Sequence, residues 1–221
     1  MRPTIELIEF TDPYCTWRRG SDPILRRIQE THGDQITLHF VMGGLTDRAD
    51  EVHDPANGIG GPDWKRQVAE HWLDASRRHG MPVDVTEFVE KVAPTSTHQA
   101  NIAYEAAKLQ KPDRADRYLR RLREAAATEN RSIHLPEVQA DIAEELGLDR
   151  IRLIADLTGP AKEALAADQR LCREYGAHGF PTFLIRSGGV NDSCAATTAS
   201  LPLPPRSIRL PASLWQGTSH L

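Results

Sequence analysis

Cysteine is scarce in this 221-residue chain, which has three, Cys15, Cys172 and Cys194. Thiols so few and scattered exclude a disulfide-stapled scaffold and suit a reducing compartment. No uninterrupted apolar run approaches the length of a membrane-spanning helix. The opening residues Met1-Arg2-Pro3-Thr4-Ile5-Glu6-Leu7 lack the apolar stretch of a secretory signal. A cytoplasmic protein without a membrane partner is expected. Positive charge is not in excess either: 27 Lys and Arg stand against 31 Asp and Glu, a net charge of -4. That balance gives no electrostatic footprint for nucleic acid. The nine histidines do not make a metal motif, since His53, His71, His79 and His98 show no ligand spacing and Glu70-His71 lacks the second helical histidine of a zinc protease. No metal and no tightly bound cofactor are expected.

What is present is a chain long enough to bury a sizeable core, with 39% hydrophobic residues. Residues 4–10 carry Ile5, Leu7, Ile8 and Phe10 and read as a buried strand. Thr11-Asp12-Pro13 ends it. From Cys15 to His32 the spacing of Trp17, Ile24, Leu25 and Ile28 suits an amphipathic helix, with Gly20 and Pro23 predicted to kink or loosen its first turns. Ile36 to Met42 reads as a second buried strand, stopped by Gly43-Gly44. A long loop, Leu45 to Pro62, follows. The period then becomes helical for more than a hundred residues, as in Trp64/Val68/Trp72, Ala100/Ala103/Ala107, Leu119/Leu122/Ala126 and Val138/Ile142/Leu146. Pro136 and Pro160 suit first-turn positions, and Gly80 and Gly147 suit helix stops. Five or six helices are expected there. One more, Ala161 to Tyr175, places Ala164, Leu165, Asp168, Leu171, Cys172 and Tyr175 on one stripe. Phe180 to Ile185 reads as a third strand, followed by a turn at Ser187-Gly188-Gly189.

The expected architecture is α/β, one sheet interrupted by an all-helical insertion. Its divisions fall at 1–61 with 158–190 for the sheet unit and 62–157 for the insertion. Residues 191–221, with Pro202, Pro204, Pro205 and Pro211 and no sustained period, are read as an irregular tail.

Cys15 stands where the first strand gives way to the first helix. A free cysteine is often just a small buried hydrophobe. A helix N-terminus beside Arg18 and Arg19, however, favours the thiolate, the nucleophilic form. Arg18 is therefore assigned as its stabiliser. Cys172, on an apolar stripe, reads as core. Asp12 and Asp54 are candidates for proton transfer. Pro181 opens a strand as an ordinary trans proline or, in combination with Cys15, as a cis proline whose neighbours present backbone to an extended guest.

Taken in order, Phe10-Thr11-Asp12-Pro13-Tyr14-Cys15-Thr16-Trp17, Gly43-Gly44-Leu45, Arg77-Arg78-His79-Gly80-Met81-Pro82-Val83, Leu122-Arg123-Glu124-Ala125 and Gly179-Phe180-Pro181-Thr182-Phe183 resemble the DsbA-like thiol–disulfide oxidoreductases of the FrnE type. The resemblance runs from about residue 4 to 187. It implies a thioredoxin-like sheet with a helical insertion, Cys15 as attacking cysteine, Pro181 as cis-proline, and Thr16, Trp17, Phe180 and Thr182 as substrate-contacting neighbours. Two departures matter. The family motif reads Cys-Thr-Trp-Cys-Trp-Gly, but Arg18 and Arg19 occupy its later positions here, so the resolving thiol is missing. The family's terminal strand and helix are also not legible in 191–221, the change of character a shifted reading frame would leave. The expected activity is exchange with a disulfide or thiol substrate through a mixed disulfide, with glutathione as a possible co-substrate. The alternatives are a glutathione-dependent isomerase or transferase of the kappa type, and a decayed peptide-binding homologue.

Overall fold

The computed structural model describes residues 5–48, 53–54, 58–86, 94, 96–187 and 190–197, without the side chains of 53–54, 187 and 190–197. Strand β1 (Ile5–Thr11) pairs in parallel with β2 (Ile36–Met42) across helix α1 (Thr16–His32). Burial in β1 alternates along most of its length, with Ile5, Leu7 and Glu9 toward α1 and Ile8 and Phe10 toward the other face. Leu25 of α1 closes the first face over Ile5, Leu7 and Ile36. The helix runs unbroken through Gly20 and Pro23, contrary to the sequence expectation. Packing on both sides overrides local propensity: a Cβ at Gly20 would collide with His79, and Arg18 is anchored to the sheet by Glu9.

Within the stretch read as plain loop, β3 (His53–Asp54) and β4 (Ile59–Gly60) form a small antiparallel ribbon. Gly58 before β4 has φ +67°, and Ile59 is buried. Five helices then follow among the described residues: α2 (Trp64–His79), α3 (His98–Gln110), α4 (Pro112–Thr128), α5 (Pro136–Glu145) and α6 (Arg150–Asp156). The proline and glycine punctuation acts as read: Pro136 opens α5, while Gly80 (φ +75°) and Gly147 (φ +69°) end their helices in the left-handed region. Asp149 caps α6 by accepting from the N–H groups of Ile151 and Arg152. One shared core, including Trp72, Ala103, Tyr118, Leu122, Ile133, Ile142 and Leu153, binds these helices together.

Helix α7 (Pro160–Glu174) returns the chain to the sheet, packing on α3 and β2. Ala161, Leu165, Asp168 and Cys172 are its buried side chains, whereas Leu171 and Tyr175 remain exposed. β5 (Thr182–Ser187) lies antiparallel to β1, and β6 (Val190–Thr197) antiparallel to β5, giving the order β2-β1-β5-β6. β6 corrects the reading of an irregular tail from 191. Its pairing of Ser187 with Val190 leaves only Gly188-Gly189 between two strands, and an existing strand edge then recruits a polar, small-residue segment that has no pattern of its own. Residues 198–221, the rest of that tail, lie outside the described residues. Among the described residues no helix is long and apolar enough to cross a membrane.

Candidate active site

The connection from β1 to α1 is shaped by Asp12. One carboxylate oxygen accepts from the Tyr14 N–H at 2.7 Å, and the other from Leu45 N–H (2.7 Å), Thr97 Oγ1 (2.8 Å) and Asn101 Nδ2 (2.8 Å). Asp12 is fully buried. It accordingly ties the loop before Cys15 to the segment after β2 and to α3. That occupation makes Asp12 a fastener of the loop rather than a free proton acceptor. Asp54 lies in β3, and its side chain is outside the described ones.

Cys15 is the N-cap residue of α1, in extended conformation, with its backbone N–H donated to Asp12 O at 3.1 Å. Its thiol donates to the carbonyl oxygen of Phe180 at 3.2 Å, closing 165 residues of sequence separation. The Phe180–Pro181 bond is cis. Phe10, Cys15, Val41, Cys172, Ala177, Phe180 and Leu184 form one apolar cluster with Trp17 at its margin. Gly43 is required there, because a Cβ would overlap the Phe180 ring. Thr182, the first residue of β5, is buried and donates its hydroxyl to Gly179 O at 2.6 Å. Cys15, Phe180, Pro181 and Thr182 are thus brought together.

Cys15 is 5% exposed. Burial pushes its thiol up to about 12, the charges of Asp12 and Glu9 push the same way, and the Arg18 backbone N–H and the Arg123 charge oppose them. Desolvation outweighs the helix terminus. At neutral pH the resting group is the thiol.

Arg18 does not do what its position suggested. Its guanidinium turns inward, pairing with Glu9 and Asp22 and lying over the Phe40 ring with 5.5 Å from Cζ to the centroid. Arg123 of α4 joins this cluster, donating to Thr11 Oγ1 at 2.8 Å and standing 3.8 Å from Glu9 and 3.9 Å from Asp22. An arginine one turn beyond the N-cap beneath a sheet that carries a buried glutamate answers that carboxylate before it answers a neutral thiol. Burial still raises Glu9, against the pull of both arginines. Arg123 is the residue the sequence reading gave no role. Its signal was a charged residue between Leu122 and Ala125, on the buried face of an amphipathic helix.

Trp17 is half-buried and engaged by α2: Nε1 donates to His71 Nε2 at 3.0 Å, His79 meets its ring edge-on, and Arg78 lies over it. Thr16 Oγ1 is buried without a hydrogen-bond partner among the described residues. Cys172 sits in the apolar cluster, as its stripe predicted.

This arrangement of sheet, inserted helices, N-cap cysteine and facing Phe180–Pro181 turn defines a thioredoxin-fold protein with a helical insertion. A family model described as Thioredoxin matches residues 9–198, and the chain belongs to that family. Among curated relatives, the ClpXP adapter protein SpxH of Halalkalibacterium halodurans is 26% identical over 202 residues, which are 91% of this chain and 65% of that protein. The chain therefore spans somewhat less than two thirds of that relative's length. Among solved structures, a putative protein disulfide isomerase from Nitrosomonas europaea superposes with a TM-score of 0.73 at 19% identity, covering 88% of this chain and 90% of the other. The cytosolic disulfide reductase DsbM from Pseudomonas aeruginosa, also solved with GSH, gives a TM-score of 0.70 at 24% identity, over 87% and 89%.

Proposed function

We propose that this chain is a single-cysteine thiol–disulfide exchange protein of the FrnE type, working through a mixed disulfide on Cys15. The observation that carries the reading is the 3.2 Å contact of Cys15 Sγ with Phe180 O, which sets the thiol against the segment flanking Pro181. A guest disulfide that enters between α1 and this segment takes the place of that contact. Cys15 sulfur, losing its proton, bonds to one guest sulfur; the guest S–S bond breaks, and the second guest sulfur leaves as a thiol carrying a proton. The reading gives the chain no exit through a cysteine three residues on, because Arg18 stands there with its guanidinium turned into the core. An external thiol such as glutathione attacks the guest sulfur and returns Cys15 to its protonated resting form. The resting thiol is a weak nucleophile, so turnover is slow until a guest alters its surroundings.

A cytoplasmic setting is part of this proposal, supported by the sparse cysteines and by the cytosolic disulfide reductase among the structural likenesses. Incubation with glutathione disulfide, followed by intact mass and peptide mapping, tests it. One glutathione on Cys15, absent in Cys15→Ser, is the expected result; an unmodified Cys15 overturns it.

Burial of the sulfur and the inward Arg18 favour a second reading, a peptide-binding protein that has left redox chemistry. It has the support of relatives named as ClpXP adapters. Cys15→Ser separates the two: exchange requires the sulfur, whereas binding of a peptide survives its replacement.

A further inference from the structure

Behind the site, at the junction of α3, α7 and β2, two carboxyl groups face each other away from water. Glu105 of α3 is 2% exposed and Asp168 of α7 is 8% exposed. Their side chains are hydrogen-bonded to one another. Two carboxylates cannot make that bond, since each would only accept; one must be protonated and donate. Among the described residues the cation at the pair is Lys108, one turn along α3, with Nζ 3.3 Å from Glu105 Oε2. A single half-exposed ammonium does not compensate two buried negative charges.

Asp168 is also coupled to the site. Its Oδ2 accepts from Met42 N–H at 2.7 Å, at the end of β2. The next residue on the same helix, Gln169, donates Nε2 to Gly43 O at 3.3 Å. Gly43 in turn underlies the ring of Phe180, whose carbonyl takes the Cys15 thiol. The chain of contact is Glu105, Asp168, Met42-Gly43, Phe180, Cys15.

We propose that Glu105 and Asp168 share one proton in a clasp between α3 and α7 that positions the Phe180 side of the Cys15 site, and that this clasp loosens when rising pH removes the proton. Glu105 is the donor, because the Met42 N–H, 2.7 Å from Asp168 Oδ2, favours the charged form of Asp168. Burial, Asp168 and the shared bond raise Glu105 from 4.5 to about 7, with Lys108 opposing. The other ionisable groups facing the pair are Tyr104 of α3 and Cys172 of α7, while Asp116 and Arg123 of α4 act on Tyr104. His39 of β2 and Arg18 of α1 act one step away, on Asp116. Helices α5 and α6 reach α3 through Gln139 on Gln99 and Asp149 on Gln110, each more than a turn from Glu105.

Folding keeps the proton on Glu105 to higher pH than the unfolded chain does. The folded state therefore binds more protons between about 4.5 and about 7, and stability falls as pH rises through that window. Chemical denaturation of the full chain at intervals from about pH 5 to about pH 8 is expected to show a falling midpoint. Glu105→Gln, which donates permanently, is expected to flatten that fall; a fall equal to wild type in Glu105→Gln overturns the clasp. Should that variant not fold, Lys108→Met, which removes a half-exposed group, is expected to move the fall to higher pH, and an unmoved fall overturns the proposal equally.

The link to the site, which rests on Cys15 being the site thiol, is read by iodoacetamide alkylation followed by peptide mapping of Cys15. Ionisation alone gives about a tenfold rise per pH unit. Wild type is expected to exceed this around neutrality and Glu105→Gln to match it. Matching slopes overturn the positioning role. The exchange reading fails separately: Cys15 that alkylates in this manner yet takes no glutathione leaves the clasp standing.

Discussion

Asp12 holds four hydrogen-bond donors on two oxygens without exposure to water. It also adds to the forces that keep Cys15 protonated. Asp12→Asn removes the charge and sets an amide donor against groups that are themselves donors. The Cys15 titration followed by thiolate absorbance is expected to move down, with alkylation roughly threefold to tenfold faster. Unfolding stability should fall by about 3 kcal/mol. At Arg18 the expectation runs the other way. Arg18→Met leaves Glu9 buried with Arg123 alone at 3.8 Å. Urea denaturation should register about 3–5 kcal/mol of lost stability, while the Cys15 titration changes less than in Asp12→Asn, because the Arg18 backbone N–H stays. The sequence showed where the cysteine, Pro181 and their neighbours lie along the chain. It did not show where Arg18 points, since a side chain one turn into a helix chooses between solvent, sulfur and core according to a partner, Glu9, that belongs to another element.

Elements meet at this site through close approaches rather than long side chains. β2 ends in Gly43 so that Phe180 can lie on it. Gly43→Ala is expected to displace the Phe180 ring and lose the thiol-to-carbonyl contact, with a stability cost of about 1–3 kcal/mol. Loss of glutathione capture on Cys15 would report the displacement by mass. Between α4 and α5, Tyr118 is buried and donates to Gln139 O at 3.0 Å. Tyr118→Phe should cost about 1 kcal/mol in denaturation, without altering Cys15 reactivity. Helices and strands of this kind were readable because burial imposes periods of 3.6 and 2 on the sequence, as in Leu119, Leu122 and Ala126. The β3–β4 ribbon and β6 were not. Two-residue strands carry no period, and β6 is formed by the edge that β5 offers, with Gly188-Gly189 the available clue.

Over the whole molecule, the helical insertion and the sheet are joined beneath α1 by charge. Arg123 comes from α4, Glu9 from β1, and Asp22 and Arg18 from α1. Topology of this order was legible because strand, helix, strand and a late proline-led strand leave few ways to close one sheet. The ionic joint was hidden, as its four members are spread over more than a hundred residues and each looks like surface charge in its own segment. Arg123→Met should weaken the joint between the two regions, seen as faster backbone hydrogen exchange in α1 and α4 than in α5.

In the exchange proposed above, the inward-turned arginine sets a clock on anything captured by Cys15. With an arginine where a resolving cysteine would stand three residues on, a covalently held guest departs when a small thiol from the surroundings arrives. Its residence time then varies inversely with the concentration of that thiol, and the chain grips longest when the cell's reducing supply runs low.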